Sequence, residues 1–285
     1  MNRRTALALA ATVPPALLAG CLNGVPLVGI TREDLPEWPD EPTESAVTSY
    51  AARYRAVATH NERLDRQEDR SYRDGSYSVL SRAVEGAFEA ETTAGYIVLT
   101  NGSSSATINR GPFRSDRTFS GMMSLETLLV NEDEVVRTPI DYEWDHGWED
   151  VEELAPFSTR GLSLVNFSSE SRRIEVSVEK AGTSDDDEEQ VTETFDLDAE
   201  HGRLEPEFLD GTGTYEVTIS ANDTLGTHEW TVSDELREPT ELPAGTTFDI
   251  ALGIYVLPDG SLEIHEIPEE RTTGTERIRQ ESILR

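Results

Sequence analysis

Between residues 160 and 267, apolar residues recur at every second position in short runs, and turn-forming residues separate the runs. Tyr215, Val217 and Ile219 alternate with polar neighbours in Gly213–Ala221, as Ile174, Val176 and Val178 do in Arg172–Glu179. A period of two puts one side of a segment on a core and the other in water, which is the pattern of a β-strand and not of a helix. Leu162–Asn166, Val191–Leu197 and His228–Val232 read the same way. Asp259-Gly260, between the apolar runs Phe248–Leu257 and Ser261–Ile267, predicts a hairpin, because glycine takes up the left-handed backbone of a tight turn.

Short strands spaced by roughly 8–12 residues predict an immunoglobulin-like β-sandwich over residues 156–267. The chain has one cysteine, so the Cys–Trp–Cys framework of antibody domains is absent and no intrachain disulfide can form. Upstream, Val47, Tyr50, Ala51, Tyr54, Val57, Ala58 and Leu64 recur at helical spacing over residues 43–68, with Thr43 or Ser45 as the cap. This stripe is expected to pack on a sheet, leaving Arg53, Arg55, Glu62, Arg63, Asp65 and Arg66 in water. Strands are expected at Tyr77–Leu80, Ala87–Thr92, Tyr96–Thr100 and Ala106–Asn109, punctuated by Gly95, Asn101-Gly102 and Gly111-Pro112. Met122–Val136 fits a helix through Leu125, Leu128 and Leu129, or a strand through Val135 and Val136.

The expected fold class is therefore mainly β. A small α+β unit over residues 43–155, one amphipathic helix plus antiparallel strands, precedes the sandwich. Residues 140–155, with Asp141, Tyr142, Trp144, Asp145, Trp148, Glu149 and Asp150, mark the seam between the units and have the aromatic–carboxylate make-up of a carbohydrate or cation site. Residues 268–285 read as a polar tail.

Charge narrows the partners. Fifty-six Asp and Glu face 24 Lys and Arg, for a net charge of −32, and Lys180 is the single lysine. Four Trp, eight Tyr and eight Phe argue against a disordered acidic chain. Nucleic acid is excluded as a partner, since phosphate binding needs clustered cations and none is visible. In molar salt the screening length falls to about 3 Å, and a carboxylate surface then keeps a protein soluble without strong self-repulsion.

The first 20 residues have the build of an export signal. Arg3 and Arg4 give the positive start, Thr5–Leu18 the apolar run, and Ala19 and Gly20 the small residues before a cleavage point. The run is shorter than the roughly 20 apolar residues that span a bilayer. Leu18-Ala19-Gly20-Cys21 is a lipobox, in which the Cys21 thiolate is the nucleophile that takes up the lipid. Cleavage there removes Arg3 and Arg4 and takes the charge from −32 to −34. Residues 21–42, with Pro26, Pro36, Pro39 and Pro42 among acidic residues, read as a lipid-anchored linker. The paired arginines, the lipobox, the acidity and the near-absence of lysine together resemble haloarchaeal twin-arginine-exported lipoproteins. That resemblance implies a protein on the outer face of the cell membrane, lipidated on Cys21.

The chain carries none of the common catalytic signatures. No G-x-S-x-G elbow is present, and His60, His146, His201, His228 and His265 lie far apart in sequence. H-E-x-x-H, C-x-x-C and phosphate-cradling glycine loops are absent, so no metal or cofactor is expected. Asp196-Leu197-Asp198-Ala199-Glu200-His201-Gly202 is similar to the start of a calcium loop, but its glycine falls one place late. Asp185–Glu189 reads as a solvated loop. Asn101, Asn166 and Asn222 match the glycosylation acceptor pattern, with Asn101 and Asn222 expected in exposed turns. The sequence thus points to a non-enzymatic, membrane-anchored extracellular lipoprotein with a binding or envelope-assembly role and a protein or carbohydrate partner. The alternative is a secreted hydrolase whose carboxylate or Ser/His site is assembled in space.

Overall fold

A computed structural model describes residues 30–69, 76–109, 117–122, 125–142, 161–181, 190–205, 208–209, 211–221, 224–232, 251–267 and 272–281. They form one helix, α1 (Glu44–Asp69), and the strands β1 (Ser76–Thr92), β2 (Gly95–Asn109), β3 (Arg117–Met122), β4 (Glu126–Val130), β5 (Val135–Tyr142), β6 (Leu162–Asn166), β7 (Arg172–Lys180), β8 (Gln190–Leu197), β9 (His201–Glu205), β10 (Gly213–Ala221), β11 (Thr224–Val232), β12 (Leu252–Val256), β13 (Leu262–Glu266) and β14 (Thr273–Glu281). The chain is mainly β, with its helix ahead of the sheets, as the periodicities imply.

The alternating segments build a two-sheet core. One sheet has the order β11-β10-β7-β8. Its inward residues Tyr215, Val217, Ile219, Ile174, Val176, Val178 and Trp230 meet Leu162 and Leu164 of β6 and Leu252, Ile254 and Val256 of β12. Each such side chain contributes about 1.5–3 kcal/mol on burial. β6 and β12 are buried at every residue, which explains their unbroken apolar runs. They run parallel to each other in a second, ten-stranded sheet ordered β13-β12-β6-β9-β5-β4-β2-β1-β14, with β3 beside β2.

Several expectations change. The seam does not divide the sheets, because β5 pairs in parallel with β9 and carries one sheet across it. Residues 273–281, expected in a tail, form β14 on the edge of β1. The four short strands proposed between Tyr77 and Asn109 are two long ones, and Asn101-Gly102 lies inside β2, paired with Glu85 and Val84. Lastly, residues 30–42 of the expected linker lie on the fold. Ile30 is buried against Leu64, Leu80 and Ala106, the Glu33 backbone bonds the Asn61 side chain, and Trp38 stacks edge-on against Tyr50. Prolines and acids keep this stretch out of regular structure without detaching it.

α1 begins as expected: Thr43 Oγ1 accepts the Ala46 N–H at 3.3 Å, and Glu44 favours the positive helix end. Its small residues Ala51, Ala52 and Ala56 let the helix settle onto β1, β2, β4 and β14. Gly86 and Gly274 are register partners beneath it. A Cβ on Gly86 would stand 3.1 Å from the Thr48 carbonyl, and one on Gly274 3.0 Å from the Ser49 nitrogen. Tyr50, Tyr54 and Val57 pack on the sheet as expected. Arg55 does not face water. It is fully buried, because its turn points at the sheet, where Glu126 lies 3.4 Å away.

The long sheet curls on itself. The Thr93 N–H in the β1–β2 turn donates to Glu263 of β13 at 3.0 Å, and the Tyr255 hydroxyl of β12 donates to Glu89 of β1 at 3.0 Å. Glu89 occupies a bulge between Phe88 and Ala90. The side of the sheet turned away from α1 thereby becomes an interior, filled by Ile97, Leu99, Leu129, Ile140, Val165, Phe167, Leu204 and Tyr255. Gly202 yields its space there to Ile140.

Candidate functional site

Polar side chains share that interior with the apolar ones. Leu99 is the register partner of Ala87 and of Thr127, and Thr127 is the partner of Thr138. Two residues along β1 and β2, on the same side, Glu85 faces Asn101. Ser163 and Val165 of β6 point inward, since Leu162 and Leu164 fill the other core. Asn101 is 2 % exposed, Glu85 8 %, and Thr127, Thr138 and Ser163 are fully buried. Glu85 Oε2, Asn101 Nδ2, Thr127 Oγ1, Thr138 Oγ1 and Ser163 Oγ have no hydrogen-bond partner. Buried polar atoms are ordinarily paired, so five unpaired ones on a shared interior are a departure that invites a ligand or ordered water.

The wall opposite is already paired. Tyr255 leans over Gly253, where a Cβ would meet its hydroxyl at 2.2 Å, and its ring lies 6.0 Å from that of His265. His265 Nε2 is 2.9 Å from Glu263. Burial pushes the Glu263 carboxyl up, but bonds from Thr93 and the nearby His265 hold it below the usual carboxylate range.

Burial alone raises the Glu85 pKa above its ordinary value of 4.5. The fold favours neutral Glu85, so this group's favourable contribution is full in acid and is lost as pH rises through the raised pKa. Glu85→Gln, a permanent neutral form, is therefore expected to be more stable than the parent at about pH 7 and equal to it near pH 4. Thermal unfolding at both pH values measures this, and an equal gain at both would refute the assignment.

A second polar cluster lies on the α1 side. Arg55 Nη1 donates to Thr100 Oγ1 at 2.8 Å and to the Thr100 carbonyl, and Arg137 makes bonds of 3.0 and 3.1 Å to Glu126 and another to Glu62. Burial draws the Arg55 pKa down to about 10 against the opposing pull of Glu126. Burial works the same way on Arg137, but its bonds to Glu126 and Glu62 raise it on balance. These groups pair with one another and clamp the helix.

The residues singled out in the sequence fall elsewhere. Arg3, Arg4, Leu18, Ala19, Gly20, Cys21 and Asn222 lie outside the described residues, as do Trp144, Trp148 and Asp185–Glu189. Asn101, expected in an exposed turn, is buried mid-strand because its side faces the interior. Asn166 is fully buried: its Nδ2 donates to the Glu170 and Asp198 carbonyls at 2.8 and 2.9 Å, and its Oδ1 accepts from Ser168. A folded chain offers neither amide to a glycan. The Asp196–Gly202 segment is a strand turn held by Asn166, with Glu200 at a φ of 52°. Among the described residues, no three His, Cys, Asp or Glu side chains gather as a metal site, and no helix is long and apolar enough to cross a membrane.

None of the five unpaired interior residues was read as an interior site from the sequence. The signal was present only as polar residues at inward positions of apolar strands, as with Thr127 between Leu125 and Leu129. Comparison with protein-family models, curated proteins and solved structures finds no match to this chain.

Proposed function

We propose that this chain is a membrane-anchored extracellular lipoprotein, exported through its twin arginines and held by a lipid on Cys21, whose folded part binds a ligand rather than catalysing a reaction. The address rests on Arg3-Arg4, the apolar run to Leu18, and the lipobox closing at Cys21. The acidic, lysine-poor composition supports a habitat of high salt.

The binding role rests on the five unpaired polar atoms of the curled interior. Such groups bond nothing within the fold, and a ligand's donors and acceptors would satisfy them. Among the described residues no base is bonded to Ser163, Thr127 or Thr138, which supports holding a ligand over activating a nucleophile. Ile30 is buried and stands nine residues after Cys21. A lipid on Cys21 would then hold the fold within about 30 Å of the membrane, the reach of nine extended residues.

Cys21→Ser tests the address. The variant is expected in the medium, or as unprocessed precursor, when cells grown in molar salt are fractionated. Unchanged retention in the membrane fraction would refute the anchor.

A further inference from the structure

We infer that the side of β3 carrying Arg117 and Phe119 rests on the headgroup surface of the bilayer that holds the Cys21 lipid, a second contact that fixes which end of the fold faces the membrane. This inference rests on the lipid anchor proposed above and adds the protein surface that the anchor brings to the bilayer.

The chain enters the fold beside that side of β3. Ile30, nine residues after Cys21, is buried against Leu64 of α1, Leu80 of β1 and Ala106 of β2. Leu80 is the register partner of Ala106, and Ala106 is the partner of Phe119. Directly opposed residues of antiparallel neighbours point to one side of a sheet, so these three form a row across it. Leu80 and Ala106 are buried under Ile30 and Leu64, while Phe119, one strand spacing of about 5 Å further on, is 38 % exposed. The other end of β1 and β2 is the turn whose Thr93 bonds Glu263 of β13. From Tyr96 beside that turn to Ala106 is about 33 Å of strand, so β13 and β3 lie at opposite ends of the β1–β2 pair.

Residues 117–121 of β3 are all exposed, although β2 pairs with the strand along one edge. Its two sides differ. Thr118 and Ser120 stand opposite Thr107 and Ser105 on one. Arg117, Phe119 and Gly121 share the other, where the Arg117 guanidinium lies 4.4 Å from the centre of the Phe119 ring. A single exposed ring is ordinary on a protein surface. A ring stacked with a guanidinium, on the side where a lipidated chain arrives, has the make-up of an interfacial contact. The ring enters the headgroup layer and the cation stays among the phosphates.

Charge favours the same end. Residues 103–122 hold Arg110, Arg114 and Arg117 against Asp116 alone, a local excess of positive charge in a chain of net −32. Residues 62–82, which finish α1 and begin β1, hold five arginines and five acids, so they add no net charge. The acidic excess therefore lies on the rest of the chain, including the outward residues Glu179, Glu216 and Glu229 of the smaller sheet. A membrane surface bearing phosphates repels those parts and attracts arginines held against it. The anchor and the charge distribution thus turn one end of the fold to the bilayer, and Phe119 is the exposed ring at that end.

Gly121 offers a place for a probe, since a Cβ there meets nothing within 4 Å. With the single cysteine lipidated, Gly121→Cys supplies one free thiol for a fluorophore. Leu225→Cys supplies the control: Leu225 is 68 % exposed on β11, whose Gly226 lies against Leu262 and Ile264 of β13. Each lipidated protein is labelled and reconstituted in molar salt into vesicles of phosphatidylcholine and phosphatidylglycerol that carry a nitroxide on the headgroup. The expected result is quenching of the Gly121→Cys label and none of the Leu225→Cys label. Adding Phe119→Ser to Gly121→Cys should lose most of the quenching, while the protein still floats with the vesicles and its unfolding temperature is unchanged. Flotation without quenching, equal quenching at both positions, or quenching that Phe119→Ser leaves intact would overturn the contact and leave the anchor standing. A Gly121→Cys label shielded from aqueous iodide but untouched by the nitroxide would assign this side of β3 to a protein partner and overturn the inference. Failure to float would overturn the anchor and this contact with it.

Discussion

Replacing Arg55 with leucine is expected to destabilise the folded chain by about 3–5 kcal/mol. Arg55 is fully buried and joins α1 to the sheet through Thr100 and Glu126. Leucine fills part of the space but takes this donor from the Thr100 carbonyl and a cation from Glu126, whose side chain is 11 % exposed and also bonds Arg137. Charges in such places are expensive to strand and contribute little net when fully paired, so loss of one partner dominates. Adding Glu126→Leu to Arg55→Leu should therefore recover part of the loss. Urea unfolding of parent, singles and double measures the coupling. A loss below about 1 kcal/mol for Arg55→Leu would show that Glu126 does not depend on Arg55.

Salt is expected to act on the outer face of the smaller sheet. Glu216 of β10 is the register partner of Glu179 on β7 and of Glu229 on β11, and all three are exposed. Directly opposed side chains stand about 4.5–5.5 Å apart, and like charges in that relation are destabilising by up to about 1 kcal/mol per pair. The screening length is about 3 Å in molar salt and about 10 Å at 0.1 M, so the row is tolerated in the first and repels in the second. With a net charge of −32 behind it, the folded chain should lose stability steeply on dilution from molar salt. Glu216→Gln removes both like-charge contacts at once. It should restore about 0.4–2 kcal/mol at low salt and nothing measurable in molar salt. An equal effect at both salt concentrations would exclude charge repulsion as its cause.

What the sequence made legible follows from how much each side chain announces its environment. β10 was read to the residue, because Tyr215, Val217 and Ile219 all face one core and every neighbour is polar. The β12–β13 hairpin was legible because Asp259-Gly260 has one conformational use, and Gly260 has a φ of 85°. β14 was not, since Ile278 is the only large apolar residue of T-G-T-E-R-I-R-Q-E and its partner helix lies far away in sequence. Asn101-Gly102 imitates a turn, and only the pairing with β1 shows a continuous strand. Arg55 was placed in water by its charge, although its helical phase already put it one turn after Ala51 and opposite no solvent face. The candidate site was illegible for a further reason. Its polar residues come from four strands, and what makes them an interior is the curl that brings β12 and β13 back to β1, which no local pattern encodes.

The pairing of β14 with β1 also sets a clock. Arg53 of α1 bonds Glu276 of β14 at 2.7 Å across 223 residues of sequence, and the Thr31 N–H bonds the Gln280 side chain across 249. Ala52, Ala56 and Val57 of the helix share their core with Ile278. A ribosome delivers the helix, β1 and β2 long before it delivers the strand that covers them, and contacts this distant along the chain form slowly. The helix must wait with an apolar stripe uncovered until β14 arrives, 223 residues on from Arg53 to Glu276. Completion of this layer is therefore late relative to synthesis of the helix, and a chain that stops short of β14 should be recognised by its helix, not by its sheets.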